Sequence, residues 1–196
     1  MRITLLGMCG SGKTTLANSL CTMLNTMCIE SGAIARANGF AGSKEEKEGR
    51  LADNETEIRR LIKEAVAGSN KYVIDGFPRT LDQAKSNIID IDCVVYLNML
   101  GKEDTAIERL LARGRPDDTE EIIHKRINTY YTHTAPLVDY YEGKEMLLRI
   151  NATGTMAQTL SQTMVGLCNR NLLAAKEYVE NILKKLNSPH AKIHSK

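Results

Sequence analysis

The sequence predicts an α/β fold, a five-stranded parallel sheet with helices on both faces. Three observations carry that reading. Short, largely apolar runs of strand length recur along the chain, as expected of strands covered on both faces. Segments with helical periodicity separate them, so each strand is followed by a crossover helix rather than a hairpin. The first strand runs into a glycine-rich turn, and a helix follows at once. A chain of 196 residues, 42% of them hydrophobic, is long enough for one good-sized core with small pieces attached.

Ile3–Leu6 is the first strand, and it enters Gly7-x-x-x-x-Gly12-Lys13-Thr14. This spacing, with a strand before and a helix after, is that of a P-loop. Gly7, Gly10 and Gly12 permit a tight loop whose backbone N–H groups, with those of Ser11 and Lys13, converge on an anion. Side chains at the glycines would block phosphate oxygens. Lys13 adds an ammonium, and Thr14 or Thr15 a hydroxyl for Mg²⁺. The helix that follows turns its positive end to the same point. The stretch predicts a P-loop NTPase fold and a bound nucleoside triphosphate.

The remaining elements follow in order. Leu16, Leu20, Met23, Leu24 and Met27 form the core stripe of the phosphate-binding helix, and a short strand lies around Cys28 and Ile29. Residues 31–60 are poor in large apolar side chains and read as a thin helical lobe inserted in a core of 1–30 and 61–196. Within it Ser43 and Glu46 form a capping box, and Asp53 caps a helix with its stripe at Ile58, Leu61, Ile62, Ala65 and Val66. Glu55 and Arg59 pair on its outer side. Lys71–Asp75 is a buried strand that ends in Gly76-Phe77-Pro78-Arg79, at the carboxyl edge of the sheet where ligands bind. Asp75 is there either an outer ligand for Mg²⁺ or a strand-end turn former. Asp92–Leu97 is the next strand, and the helix after it turns Ala106, Ile107, Leu110 and Leu111 inward until Gly114-Arg115-Pro116 breaks it. Asp118, with Glu121, reads as the cap of a long helix carrying Ile122, Ile123 and Ile127 and bent near Pro136. Met146–Ile150 is the last strand. Helical stripes close the chain at Met156, Leu160, Met164 and Leu167, and again from Leu172 to Leu186; 188–196 is a polar, basic end expected to fray.

Composition excludes several classes of function. A net charge of +2 gives no support for nucleic acid or a lipid surface as partner. No apolar run reaches the roughly 18 residues that span a membrane, and the opening residues already belong to the P-loop strand, so no targeting peptide is expected. The five scattered cysteines contain no C-x-x-C pair, which argues against a disulfide framework and against zinc. A reducing cytoplasm is the expected compartment.

Six arginines fall at element ends or beside glycines: Arg36, Arg79, Arg109, Arg113, Arg115 and Arg126. Arg109 and Arg113 share one helix face. Arg115 follows in the break, and Arg126 lies on the next helix. Singly, each would be a solvated surface charge. Four of them around one Gly-Arg-Pro hinge suit phosphoryl transfer, where charge spreads over the moving group and guanidinium offers fixed, bidentate donors. Asp117 and Asp118 stand either to pair with these arginines or to cap the helix.

Gly7–Thr15, Ser31-Gly32 with Arg36, Asp75-Gly-Phe-Pro-Arg79-Thr-Leu-Asp-Gln83-Ala, and Arg113-Gly-Arg-Pro-Asp-Asp118 with Lys125-Arg126 together resemble the adenylate kinase family of nucleoside monophosphate kinases. The likeness runs in order from residue 1 to about 165. It implies a core with a helical NMP-binding lobe at 31–60 and a short lid at 114–117. It implies that ATP lies along Gly10, Ser11, Gly12, Lys13, Thr14 and Thr15, with Arg109, Arg113 and Gly154 at its far side. AMP would lie against Ser31, Gly32, Arg36, Arg50, Ala52, Gly76, Arg79, Gln83, Arg115 and Arg126. Lys13, Arg79, Arg109, Arg113, Arg115 and Arg126 are then the catalytic cations, and Thr14 and Asp75 hold Mg²⁺ through nucleotide and water. The implied reaction is reversible transfer from Mg·ATP to AMP, giving ADP, by a cytoplasmic monomer without zinc. A UMP/CMP kinase of the same family, or a nucleotide sensor with little turnover, is the alternative. The chain departs from the family pattern at Ala33, where Asp is usual, at Met8-Cys9, where prolines are usual, and at Thr14, where glycine is usual; the helix at 169–187 lies beyond it.

Overall fold

A computed structural model describes residues 1–40 and 55–174. The Ser43 capping box, the Asp53 cap, Arg50, Ala52, most of the helix expected at 169–187 and the end at 188–196 lie outside the described residues.

Among the described residues, β1 (Arg2–Leu6), β2 (Met27–Glu30), β3 (Tyr72–Asp75), β4 (Cys93–Asn98) and β5 (Leu147–Asn151) form one parallel sheet in the order β2-β3-β1-β4-β5. Ile3 stands opposite both Val73 and Cys93, so β1 is flanked on each side by a strand that comes later in the chain. The strand order reverses at β1, and its carboxyl end opens onto the crevice where such sheets take ligands.

Alternation along the strands divides the core between the two faces. Ile3, Leu5, Val73 and Val95 pack with Leu16, Leu20 and Leu24 of α1 (Lys13–Leu24) and with Met164 and Leu167 of the last described helix, Met156–Asn169. Each fully buried leucine of this kind stabilises by about 1.5–3 kcal/mol. On the other face Leu6, Val94 and Tyr96 meet Leu137, Val138 and Tyr141 of the helix Pro136–Glu142, while Ile29, Tyr72 and Ile74 meet Ile62 of α3 (Glu55–Val66). The expected Glu55–Arg59 pair is present on that helix.

Three details differ from the sequence expectation. Asn25 takes a left-handed conformation and ends α1 at Leu24, so Met27 starts β2 and is exposed instead of completing the helix stripe. Leu111 faces solvent, because the inward face of its helix is narrow and is filled by Ala106 and Leu110. The long helix after the arginine-rich break is interrupted one turn before Pro136. Glu120–Thr129 passes through a wider π-type turn, Tyr130–Thr134, before Pro136 begins a new helix at its first position, where a proline is tolerated.

Candidate active site

The site is an open cleft of about 730 Å³ at the carboxyl ends of β1 and β3. Its floor is the loop between β1 and α1. Gly12 caps α1 in the left-handed region (φ +88°) with no side chain over the helix end, which leaves the first-turn N–H groups for a ligand. The loop glycines have a second task. A Cβ on Gly10 (φ +79°) would stand 2.5 Å from the carbonyl oxygen of Ala106, so this position is closed by a neighbouring helix whatever the loop binds. At the two loop positions where the resemblance leads one to expect prolines, Met8 is buried in the main core and Cys9 packs against the cluster of Leu110 and Ile123. The loop is held by packing there.

Lys13 lies folded against its own loop, its Nζ donating to the carbonyls of Gly7 and Met8 at 2.7 Å each. Burial holds its pKa below the ordinary lysine value, partly opposed by the charge of Asp75. The Thr14 hydroxyl donates to Asp75 Oδ2, whereas Thr15 is exposed. Thr14 and Asp75 thus present two hard oxygen donors together at the start of α1, a fit for Mg²⁺ carried on a nucleotide. Among the described residues no group of three or more His, Cys, Asp or Glu is placed to hold a metal ion on its own. No helix among them is long and apolar enough to cross a membrane.

Opposite the loop, α2 (Ser31–Ala37) and the turn after β3 build a second wall. The buried Ser31 hydroxyl donates to the Gly76 carbonyl at 2.7 Å and accepts from Arg79 Nη2 at 3.3 Å; Arg79 Nε also donates to Gly76 O at 2.8 Å. Arg36, in the last turn of α2, donates to Glu30 at 2.9 Å. Gln83, in the short helix Leu81–Lys85, is buried, and its Oε1 accepts the Arg79 backbone N–H at 2.6 Å. It is not among the residues that line the cleft, and Ser31 spends its hydroxyl on the turn.

The arginines come from α5 (Glu103–Arg113), the break and α6 (Glu120–Thr129). Arg109 donates to the carbonyls of Ala152, Thr153 and Gly154 at 2.9, 3.2 and 3.2 Å, binding α5 to the loop that a Thr155–Gln158 capping box fixes at the head of the last described helix. Asp118 organises the others. Its side chain is closed to solvent, and it accepts two hydrogen bonds from Arg113 (2.8 and 2.6 Å), one from the Arg115 N–H (3.2 Å) and one from Arg126 (3.4 Å). Arg126 also pairs with Asp117. Pairing therefore prevails over capping for both acids, and Thr119 supplies the cap of α6. The Arg115 side chain is exposed at the turn and has no partner among the described residues.

Lys13 and the six arginines all line this one cleft, together with Gly10, Ser11, Gly12, Thr14, Thr15, Gly32, Asp75, Gly76 and Gly154. Sequence reasoning missed Glu30, which holds Arg36, and Thr134, whose hydroxyl donates to the Arg79 carbonyl at 2.9 Å. Thr134 belongs to the π-type turn, where helical spacing no longer tells which way a side chain points, so no signal marked it.

A P-loop on a parallel sheet, facing a basic wall across a cleft, defines a nucleotide-binding protein of the P-loop NTPase class. Comparison with known proteins narrows it. The family model described as adenylate kinase matches residues 5–146. "Adenylate kinase" of Corynebacterium urealyticum is 37% identical over 184 residues, covering 85% of this chain and 99% of the relative. That of Mycolicibacterium paratuberculosis is 33% identical over 183 residues with the same coverage, and that of Prochlorococcus marinus 36% over 171, covering 78% and 89%. The chain belongs to the adenylate kinase family of nucleoside monophosphate kinases.

Proposed function

We propose that the chain catalyses reversible, in-line transfer of the γ-phosphoryl group of ATP to an α-phosphate oxygen of AMP, giving two molecules of ADP. The observation that carries this is the single cleft with an anion-binding loop at one wall, Arg36 and Arg79 at the other, and four arginines between. Two nucleotides meeting phosphate to phosphate account for so many cations in one place. On this reading Lys13 leaves the carbonyls of Gly7 and Met8 for the donor's phosphates, for which oxyanions are the stronger partners. Arg113, Arg115 and Arg126 surround the moving group, held in register by Asp118. Arg109 joins them at the moving group, Gly154 lies beside the donor base, and Arg36 and Arg79 hold the acceptor phosphate. The acceptor oxygen is already an anion, so no general base is required. Thr14 and Asp75 would hold Mg²⁺, directly or through water, and the ion would supply neutralisation of the donor's phosphate charge.

The division into a core, an NMP-binding lobe at 31–60 and a lid at 114–117 belongs to the same reading. Closing the cleft over both nucleotides would exclude water and so prevent hydrolysis of ATP. Gly114 is suited to a moving turn: its φ is +67° and nothing lies within 4 Å of its missing Cβ. The reading further makes the protein a cytoplasmic monomer acting on small nucleotides without zinc, nucleic acid or membrane.

Acceptor choice is the finer question, and the engaged Gln83 carbonyl bears on it. Only the amide NH₂ is left uncommitted among the described residues, and that donor suits N1 of adenine. It suits a pyrimidine acceptor atom too, which keeps the UMP/CMP kinase reading as the alternative. The test is kcat/KM for AMP, CMP, UMP and GMP with ATP as donor, on wild type and on Gln83→Ala. AMP is expected to lead by roughly tenfold or more, with the lead shrinking in the variant, whose Tm should also fall because the Arg79 N–H loses its acceptor. Equal or better use of CMP or UMP would overturn the AMP assignment. Failure of every monophosphate to be phosphorylated would favour the sensor.

A further inference from the structure

Cys21 and Cys28 are drawn together by the packing of α1 on β2. In β2 Ile29 points into the face shared with Ile62 and Ile74, so Cys28 points to the opposite face, the one that α1 covers. Its register partner Val73 lies in the same core cluster as Cys21 and Leu24. The bonds agree: Cys21 Sγ donates to the carbonyl of Met27 at 3.5 Å, and Cys28 Sγ donates to Asn18 Oδ1, one helical turn before Cys21, at 3.6 Å. The chain returns tightly between them, the Cys21 carbonyl accepting from the N–H groups of both Asn25 and Thr26. One thiol is exposed and the other lies at the edge of the core.

We infer that Cys21 and Cys28 form a reversible dithiol–disulfide site, oxidised by a hydroperoxide and re-reduced by a small thiol. In the first step the exposed Cys28 sulfur attacks the peroxide oxygen. The O–O bond breaks, Cys28 becomes a sulfenic acid, and the other oxygen leaves as water or an alcohol. The Cys21 sulfur then attacks the Cys28 sulfur, the S–O bond breaks, and the hydroxyl leaves with the Cys21 proton as water. The two thiols have lost two electrons and the peroxide has gained them. Burial and the Cys28 side chain push the Cys21 thiol far up, so the exposed Cys28 reacts first and Cys21 closes the bond from beside it. Cys93 is wholly buried, and its thiol is pushed up to about 11. Cys9 sits behind the phosphate loop, where burial also raises its thiol despite nearby Lys13.

The test exposes reduced full-length protein to a small excess of hydrogen peroxide, quenches with N-ethylmaleimide, and maps peptides by mass spectrometry before and after dithiothreitol. The expected product is an intramolecular Cys21–Cys28 cross-link, with the mass of two hydrogens lost, restored by the reductant. It should be absent in Cys21→Ser and in Cys28→Ser and unchanged in Cys168→Ser. In Cys21→Ser, oxidation should stop at a Cys28 sulfenic acid that dimedone traps. Cross-linking of Cys28 to another cysteine, dimers, or over-oxidation of Cys28 in the wild type without the cross-link would overturn the inference. So would peroxide leaving both thiols open to alkylation.

Discussion

Lys13 shows at the scale of one residue how the resting site differs from the working one. Its ammonium is buried among backbone carbonyls and waits for a stronger partner. Lys13→Ala should lower kcat by about 10²–10³ while the fold holds, because the lost charge faces phosphates whose charge moves during transfer. A near-normal kcat would remove Lys13 from the reaction. The pH dependence has a definite sign. The pKa of Lys13 lies below 10.5, so in the free enzyme the proton is lost before an ordinary lysine would lose it. The profile of kcat/KM for ATP should therefore fall on an alkaline limb centred below that value, and Lys13→Arg should move the limb upward. Thr14 and Asp75 were legible as a pair from the P-loop spacing and the strand end. The residues alone left Thr14 and Thr15 open, because the choice depends on which hydroxyl faces β3, and the family resemblance named Thr14.

Among the elements, the junction of α5, the 114–117 turn and α6 depends on Asp118. Burial raises its carboxyl, but the Arg113 and Arg115 bonds and the Arg113 charge outweigh it and hold it below the ordinary 3.8. A folded-state pKa below the unfolded one adds stability that is complete above about pH 4 and is lost as pH falls through the folded value. Asp118→Ala leaves the part-exposed Arg113 and Arg126 short of their partner, at a cost of about 1–2 kcal/mol. Urea unfolding at neutral pH should show that loss, and the gap between variant and wild type should narrow as pH falls below about 4. An unchanged midpoint at neutral pH would show that Asp118 organises nothing. The sequence held the ingredients but not the choice. In Asp117-Asp118-Thr119 any of the three can cap a helix, and only the closure of α5 on α6 puts Asp118 out of reach of water. Met27 failed as a helix residue for a comparable reason: a single left-handed Asn25 decides where α1 stops.

At the scale of the whole molecule, the strands and the placement of the site were largely legible. Apolar runs of strand length separated by helical stripes leave few arrangements, and the P-loop names the end of the sheet that matters. What was not legible is how side chains already engage one another across the cleft. Ser31 and Gln83, expected against AMP, also engage the turn that carries Arg79, Ser31 by its hydroxyl and Gln83 by its Oε1. The central claim is that this cleft brings two nucleotides together and passes phosphate between them, and the direct measurement is product formation from ATP, AMP and Mg²⁺ followed by ³¹P NMR. The account predicts that ADP appears only when both nucleotides are present, two formed for each ATP and AMP consumed, with no inorganic phosphate released. Release of phosphate from ATP without AMP, or no ADP from the complete mixture, would contradict it.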